Sequence, residues 1–477
     1  MKKSNVVFTN LIWRFAERCG AQGVTFVVSI VLARILNPSV YGIIALITVF
    51  TTILQVFVDG GFASALIQKK DADDVDFSTV FYFNLMMCVG LYIIMFICAP
   101  FIAKFYEMNE LTAVIRVMCL IIIISGIKNV QQAYVSRHML FKRFFFSTLG
   151  GTIGAAIVGI AMAYKGFGVW ALVFQMLFNT LVDTLILWLT VKWRPQKVFS
   201  IDRLKILFSY GWKLLAANLV ATVYTQLRQL VIGKMYSSED LAFYNRGRQF
   251  PNLIVENINT SIDSVLFPAL SNEQEDFKRV RDMTRRSIKV STYIMAPLMI
   301  GLAVCAEPFV KLILTDKWIF CVPYLRIFCI TFLFYPIQTA NLNAIKATGR
   351  SGVLLKLQII KNIIGFLLLL ITMKFGPLAI AYGMLASSIC SQIINSWPNR
   401  KILDYKYYQQ LVDILPAVVL AVIMGGIISL IELLNVAPVF TLIIQILLGV
   451  VVYFGGSKVF KIDSLTYLRN VVYNYIK

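Results

Sequence analysis

Charge is scarce in this sequence: 14% of its 477 residues are Asp, Glu, Lys or Arg, where soluble domains carry about 25%. No polar stretch between the apolar runs is long enough to bury a core of its own, which excludes an attached soluble domain. Acids are scarcer still, 24 against 45 Lys and Arg. Histidine occurs once, at His138, and the eight cysteines are scattered without a CxxC pair, which argues against disulfide frameworks and thiol or imidazole metal sites. A GxxxxGK[ST] loop is missing, so the chain carries no nucleotide site of that type. The outer connections are too short to build the external active site of a membrane polymerase or ligase. The chain is therefore read as a non-enzyme with no cofactor and no metal. The first apolar stretch is broken by Arg14, Glu17 and Arg18, so it lacks the h-region of a signal peptide and is read as a retained first span.

What is present is apolar sequence from end to end, 59% of residues with a mean hydropathy of +0.77. The net charge of +21 sits in short segments between the apolar runs. There it orients helices in a membrane and points away from a nucleic-acid partner. Segments of about 20 residues suffice to cross a bilayer, and fourteen can be marked off, from 11–36 to 438–460. With both termini cytoplasmic, 28 basic residues fall on the inner side and seven on the outer, as the positive-inside rule requires. The location read from this is the inner (cell) membrane.

The chain also matches itself. LARILNPSVYG from Leu32 faces IGKMYSSEDLA from Ile232, APFIAKF from Ala99 faces EPFVKLI from Glu307, and Arg116 falls on Arg326. The expected fold is an all-α polytopic membrane protein of about 14 helices. Its parts are a six-helix lobe over 1–195, a linker over 196–206, a second six-helix lobe over 207–400, and two further helices with a tail over 401–477. Six spans is an even number, so the halves share an orientation and a pseudo-two-fold axis runs along the membrane normal, with a cavity between the lobes.

Ten cations remain inside spans: Arg14, Arg18, Arg116, Lys128, Lys213, Arg228, Arg246, Arg248, Arg326 and Lys361. Each costs about 2.5–3.5 kcal/mol at the bilayer centre, so each either snorkels to a surface or faces an aqueous interior. The acids in spans, Glu17, Asp59, Asp183, Glu256, Asp263 and Glu307, are fewer, and the positive surplus suits an anionic cargo. Asp59 precedes Gly60-Gly61, and Asn259 aligns with it, with Asp263 one helical turn on. A carboxylate at that depth serves either proton or cation coupling or a helix break beside the glycines. GGTIGAAIVG (Gly150 to Gly159) reads as small-residue helix packing. The mixed-sign run from Ser271 to Lys289 reads as an interfacial helix on anionic lipid.

The runs VSIVLARILNPSVYG (Val28 to Gly42), FVDGGFASALIQKKD (Phe57 to Asp71), FSTVFYFNL (Phe77 to Leu85) and YNRGRQFPNLIVENINTSIDSVLFPALS (Tyr244 to Ser271) resemble the polysaccharide transporter family. These are the Wzx-type O-antigen and exopolysaccharide flippases of the MOP exporter superfamily, here nearest the colanic-acid exporter branch. The resemblance implies two six-helix lobes plus two helices, with helices 1, 2, 7 and 8 lining a central cavity. It also implies an undecaprenyl-pyrophosphate-linked oligosaccharide as substrate, moved by alternating access with an ion gradient. The polymerase and chain-length machinery of the same pathway are the implied protein partners, beside the lipid bilayer itself. Gly60 stands where the family commonly has an aromatic residue.

A pyrophosphate cannot cross hydrocarbon bare, and arginine's fixed donor fork suits it. The cationic path is assigned to Arg14, Arg18, Lys128, Arg228, Arg246 and Arg248, and ion coupling to Asp59, Glu256 and Asp263. Trp13, Tyr224, Gln226, Gln229 and Tyr244 offer aromatic faces and amides for sugars. The alternatives are a multidrug or lipid II exporter of the same superfamily, or a membrane polymerase or ligase. Reporter fusions ending at 165, 317 and 435 should report the outside and those at 197, 280 and 403 the inside; two reversals refute this topology.

Overall fold

The computed structural model describes the backbone of all residues except Met1, Lys70, Asn435 and Lys477. The side chains of 2–12, 14–15, 64, 68, 206, 210, 351, 471–472 and 474–476 also lie outside the described residues. The chain divides into two compact units, Met1–Ala242 and Phe243–Lys477. The first holds α1 (Lys2–Ile35), α2 (Pro38–Asp59), α3 (Phe62–Gln68), α4 (Asp74–Tyr106), α5 (Leu111–Met118), α6 (Leu120–Arg137), α7 (Lys142–Tyr164), α8 (Val169–Thr190) and α9 (Ile201–Met235). The helix α10 (Ser238–Asn272) begins there and runs on into the second unit. The second unit continues with α11 (Phe277–Val304), α12 (Ala306–Ile313), α13 (Val322–Leu333), α14 (Tyr335–Ala347), α15 (Ser351–Thr372) and α16 (Pro377–Ser396). It ends with α17 (Asn399–Ile402), α18 (Tyr407–Ser429), α19 (Pro438–Val459) and α20 (Asp463–Ile476). The described residues form no strand.

Among the described residues twelve spans are long and apolar enough to cross a membrane, and α9, bent by 47° between Ser209 and Gly211, makes a thirteenth. The remaining expected crossing is α10, which is 35 residues long but carries Arg246, Arg248, Glu256 and Asp263 and is correspondingly polar. The run from Ser271 to Lys289 is not a separate interfacial helix. From Phe277 it is the first half of α11, which continues without a break to Val304, because nothing in KRVRDMTRRSIKVS interrupts helical geometry.

In the first unit α7 is packed between α1 and α8. A side chain on Gly151 would stand 2.8 Å from the Asn179 amide and one on Gly154 2.9 Å from Phe178, so the small residues of α7 do serve close packing against α8. Gly42 approaches the Ser238 carbonyl so closely that no Cβ fits. Gly61, at φ +75°, likewise leaves room for the Gly211 carbonyl. These contacts hold α9 against α3 and the start of α10 against α2. At the other end of α4 the chain is fixed electrostatically. Asp73 caps α4 by accepting from the Asp76 N–H at 3.0 Å, and the Asp76 carboxylate accepts from the Asp73 N–H in return. That backbone bond, with Arg203 at 2.6 Å, holds the Asp73 carboxyl below its usual range. Lys69 bonds Asp76 at 2.7 Å. The non-helical segment 191–200 is bound to the same unit through Gln196 N–H to Ser78, Ser200 N–H to Thr79 and Gln131 to the Trp193 carbonyl.

In the second unit α11 packs on α13, α14 and α18. A buried amide cluster joins the last helices to the rest. The Asn341 amide donates to Gln410 at 2.8 Å and Ser396 at 3.2 Å, and Asn399 donates to the Asn341 side-chain oxygen at 2.7 Å. Gln410 also donates back to Asn341. All four residues are almost fully buried, so each lost partner leaves a desolvated amide costing about 1–3 kcal/mol. Asn341→Leu is expected to lower the thermal midpoint in detergent by several degrees. Gln358→Leu, which removes one exposed bond to Asn362, should leave it nearly unchanged; equal midpoints would show that the cluster does not stabilise the unit.

Candidate functional site

Helical phase decides where the intramembrane charges go. On α6 the neighbours Lys128 and Asn129 point about 100° apart and reach different helices. Lys128 Nζ lies 2.9 Å from Asp183 Oδ2 on α8, and the Asn129 amide donates to Asp59 Oδ1 at 3.3 Å. Gln55 donates to the same oxygen from one turn earlier on α2, at 3.1 Å. Three elements thus bring Asp59, Asn129, Lys128 and Asp183 together. Asp59 closes α2, and Gly60 and Gly61 break the helix before α3, so the carboxylate is both interhelical partner and last helical residue.

On α1, Glu17 is buried and accepts from Thr148 of α7 at 3.2 Å, whereas Arg18 is exposed. The side chain of Arg14 lies outside the described residues. Trp13 stacks edge-on against Phe145, with Lys142 over its ring. On α9, Arg228 lies over the Tyr224 ring at 5.7 Å, and Gln229 donates to Gln226 at 2.6 Å.

In the second unit, Arg246 and Arg248 of α10 are two residues apart and so face nearly opposite ways. Gly247 lets α10 abut the start of α13, since a Cβ there would meet Tyr324 at 2.6 Å. Arg246 consequently points inward: it is buried, 4.9 Å from the Trp318 ring centre, and bonds Gln249 at 2.7 Å. Arg248 is half-buried and forms no ion pair among the described residues. Tyr244, expected to face sugar, is instead fully buried against Tyr324 and Phe328, because it lies one turn before Gly247 on the face of α10 that abuts α13. Glu256 is exposed and accepts from Asn252 at 2.7 Å. Asp263 is exposed and accepts from Asn343 of α14 at 2.6 Å. Glu307 is not an isolated intramembrane acid: it is 2.8 Å from Lys311 on the short helix α12, and that bond holds its carboxyl below the usual range. Lys361 of α15 is half-buried without an ion-pair partner among the described residues.

The duplication is visible in these contacts. Arg116 Nε donates to the Phe96 carbonyl at 3.2 Å and Arg326 Nε to the Ala303 carbonyl at 3.2 Å. Asp59 pairs with Asn129 in the first unit as Asp263 pairs with Asn343 in the second. Residues 31–323 match the family described as "Polysaccharide biosynthesis protein", more than half the chain. The chain belongs to this polysaccharide biosynthesis family. Teichuronic acid biosynthesis protein TuaB of Bacillus subtilis is 27% identical over 63% of this chain, and the match spans 63% of TuaB, just under two thirds of its length. Succinoglycan biosynthesis transport protein ExoT of Rhizobium meliloti is 24% identical over 82% of this chain and 77% of its own. The fold is that of a lipid II flippase, MurJ in an inward closed conformation, with TM-score 0.78 and 16% identity over 95% of this chain and 100% of that one. Within the polysaccharide biosynthesis family, then, this chain is a multi-pass membrane protein.

Sequence reasoning missed Asn129, Asn343 and the pairing of Asp183. The signal was present: the aligned position of Asn129, counted by the Arg116–Arg326 offset, is Thr339, and Asn343 lies one turn further on the same face. Lys128 and Asp183 are mostly shielded, so Lys128→Ala is expected to leave an unpaired carboxylate and to destabilise by about 2–4 kcal/mol. The double variant Lys128→Met with Asp183→Leu should recover most of that loss in a thermal-denaturation cycle. Additive losses would exclude the pair as a structural unit.

Proposed function

We propose that this protein is a flippase that carries undecaprenyl-pyrophosphate-linked oligosaccharide across the cytoplasmic membrane, for lipopolysaccharide O-antigen, capsule or exopolysaccharide synthesis. The observation that carries the reading is three guanidinium groups on helices with neither a carboxylate nor a hydrogen-bond partner among the described residues, Arg18 and Arg228 in the first unit and Arg248 in the second, whereas Arg116, Arg246 and Arg326 bond a carbonyl or amide oxygen. Such cations are costly in hydrocarbon unless water or an anion meets them. A pyrophosphate supplies about two negative charges and bidentate acceptors, and the membership in a polysaccharide biosynthesis family supplies the sugar. A drug exporter for organic cations would need the opposite charge balance. The alternating exposure expected of two lobes is the means of transfer, both termini are placed on the cytoplasmic side, and no catalytic step is involved.

Energy coupling is assigned to Asp59, Glu256 and Asp263. Two of these are held by an asparagine from the neighbouring helix, Asn129 or Asn343, which fixes a carboxylate without neutralising it. Proton or monovalent-cation binding to either would then be felt at a helix contact.

Arg228→Ala or Arg248→Ala is expected to abolish complementation of a flippase-null strain at normal protein level, and the lysine variants to restore it only partly, because bidentate geometry is lost. In proteoliposomes under an imposed gradient, Asp59→Asn should retain substrate binding and lose gradient dependence. Normal export by alanine variants at Arg18, Arg228 and Arg248 together would refute the cationic path.

A further inference from the structure

We propose that the second unit holds an anionic phospholipid where α11 meets α20, with its phosphate in a polar pocket at Arg286 and Lys289 and an acyl chain in the adjoining apolar cavity. The pocket, about 630 Å³, is walled by Arg285, Arg286 and Lys289 of α11 and by Ser464, Tyr467 and Asn470 of α20. Two of its cations are partly committed. Arg285 is bound to the buried Asp413 carboxylate through two 2.6 Å contacts, and Lys289 lies 3.4 Å from Asp413 and 3.9 Å from the exposed Asp463. Asp282, also in the wall, lies 3.4 Å from Arg281. Arg286 has no carboxylate partner among the described residues; its guanidinium lies 4.9 Å from the centre of the Tyr467 ring. Lys458, Lys461 and Arg469 are exposed on the same stretch of chain, so cations outnumber acids at this end. Arg286 and Lys289 can make charge-assisted bonds to a phosphate, with Ser464 and Asn470 as neutral donors.

The second observation is what lies beside the pocket. A cavity of about 500 Å³ is lined by Tyr293, Pro297, Met424, Gly449, Tyr453 and Leu468, with further apolar residues of α11 and α19. The two spaces have no lining residue in common but follow the same two helices. On α11, Lys289 and Val290 face the polar pocket, and Tyr293 and Ile294, one turn on, face the cavity. On α20, Tyr467 faces the pocket and its neighbour Leu468 the cavity. From Tyr293 to Leu302 the cavity follows α11 for ~14 Å, close to the ~15 Å hydrocarbon depth of one leaflet. A polar head site at the bilayer surface continuing into an apolar slot one leaflet deep matches a phospholipid, and the cationic head site selects an anionic one. The site uses none of the residues assigned to the substrate or to coupling.

The test is lipid retention by the purified full-length protein in native mass spectrometry, after exchange into detergent with phosphatidylglycerol, phosphatidylcholine or glycerophosphoglycerol. One phosphatidylglycerol is expected to be retained at least about ten-fold better than phosphatidylcholine. Glycerophosphoglycerol and millimolar inorganic phosphate should neither bind measurably nor displace the lipid. Arg286→Gln, at an exposed position whose partner among the described residues is the Tyr467 ring, should reduce retention about ten-fold without moving the thermal midpoint. Gly449→Phe or, should that variant not fold, Leu468→Gln should reduce it with the head site intact. Equal retention of phosphatidylcholine, unchanged retention by Arg286→Gln, or displacement by inorganic phosphate would each overturn the proposal.

Discussion

A charged side chain on a membrane-spanning helix must be paired, hydrated or met by a ligand, and helical phase enforces the choice residue by residue. On α6 and α10, adjacent or next-adjacent positions receive different fates. Lys128 is neutralised by Asp183 while Asn129 reaches Asp59; Arg246 is buried over Trp318 while Arg248 points away from it. Composition alone treats these cations alike. Their separation into structural and available groups follows from a rotation of 100° per residue and from which neighbouring helix stands on each side.

The same constraint explains why the two halves of the chain share contacts more than residues. An arginine near a helix end bonds a backbone carbonyl in both units, and a carboxylate is held by an asparagine in both. What is kept is a polar contact that an apolar environment makes expensive to lose; the residues around it diverge because any apolar side chain of suitable volume packs against lipid or helix. The halves also differ where the environment differs. Lys128 stands beside Asn129 in the first unit, and Leu342 takes the matching place beside Asn343 in the second.

Helix ends are anchored by different chemistry in the two units. The start of α4 is tied to Lys69 and to α9 by ion pairs and a cap among Lys69, Asp73, Asp76 and Arg203. The junction of α14 with α16, α17 and α18 uses neutral amides, buried and mutually bonded. Neutral groups avoid the desolvation that a fully buried ion pair would incur, whereas the buried Asp76 carboxylate is met by Lys69 and Arg203, whose side chains stay partly exposed.

The sequence by itself determined the all-helical membrane class, the duplication, the surplus of cations and the family, because each is written in hydropathy, spacing or residue type along one dimension. It also marked Asp59 and Asp263 as related positions. The tertiary structure decided which charges are partnered. Asp183 meets Lys128 across 55 residues and Asn343 meets Asp263 across 80, and no local pattern encodes which face of one helix lies against which face of another. It also decided that the basic run before Lys289 extends a spanning helix, and that Tyr244 is core. Both depend on how neighbouring helices pack, and packing geometry emerges only when all of them are in place.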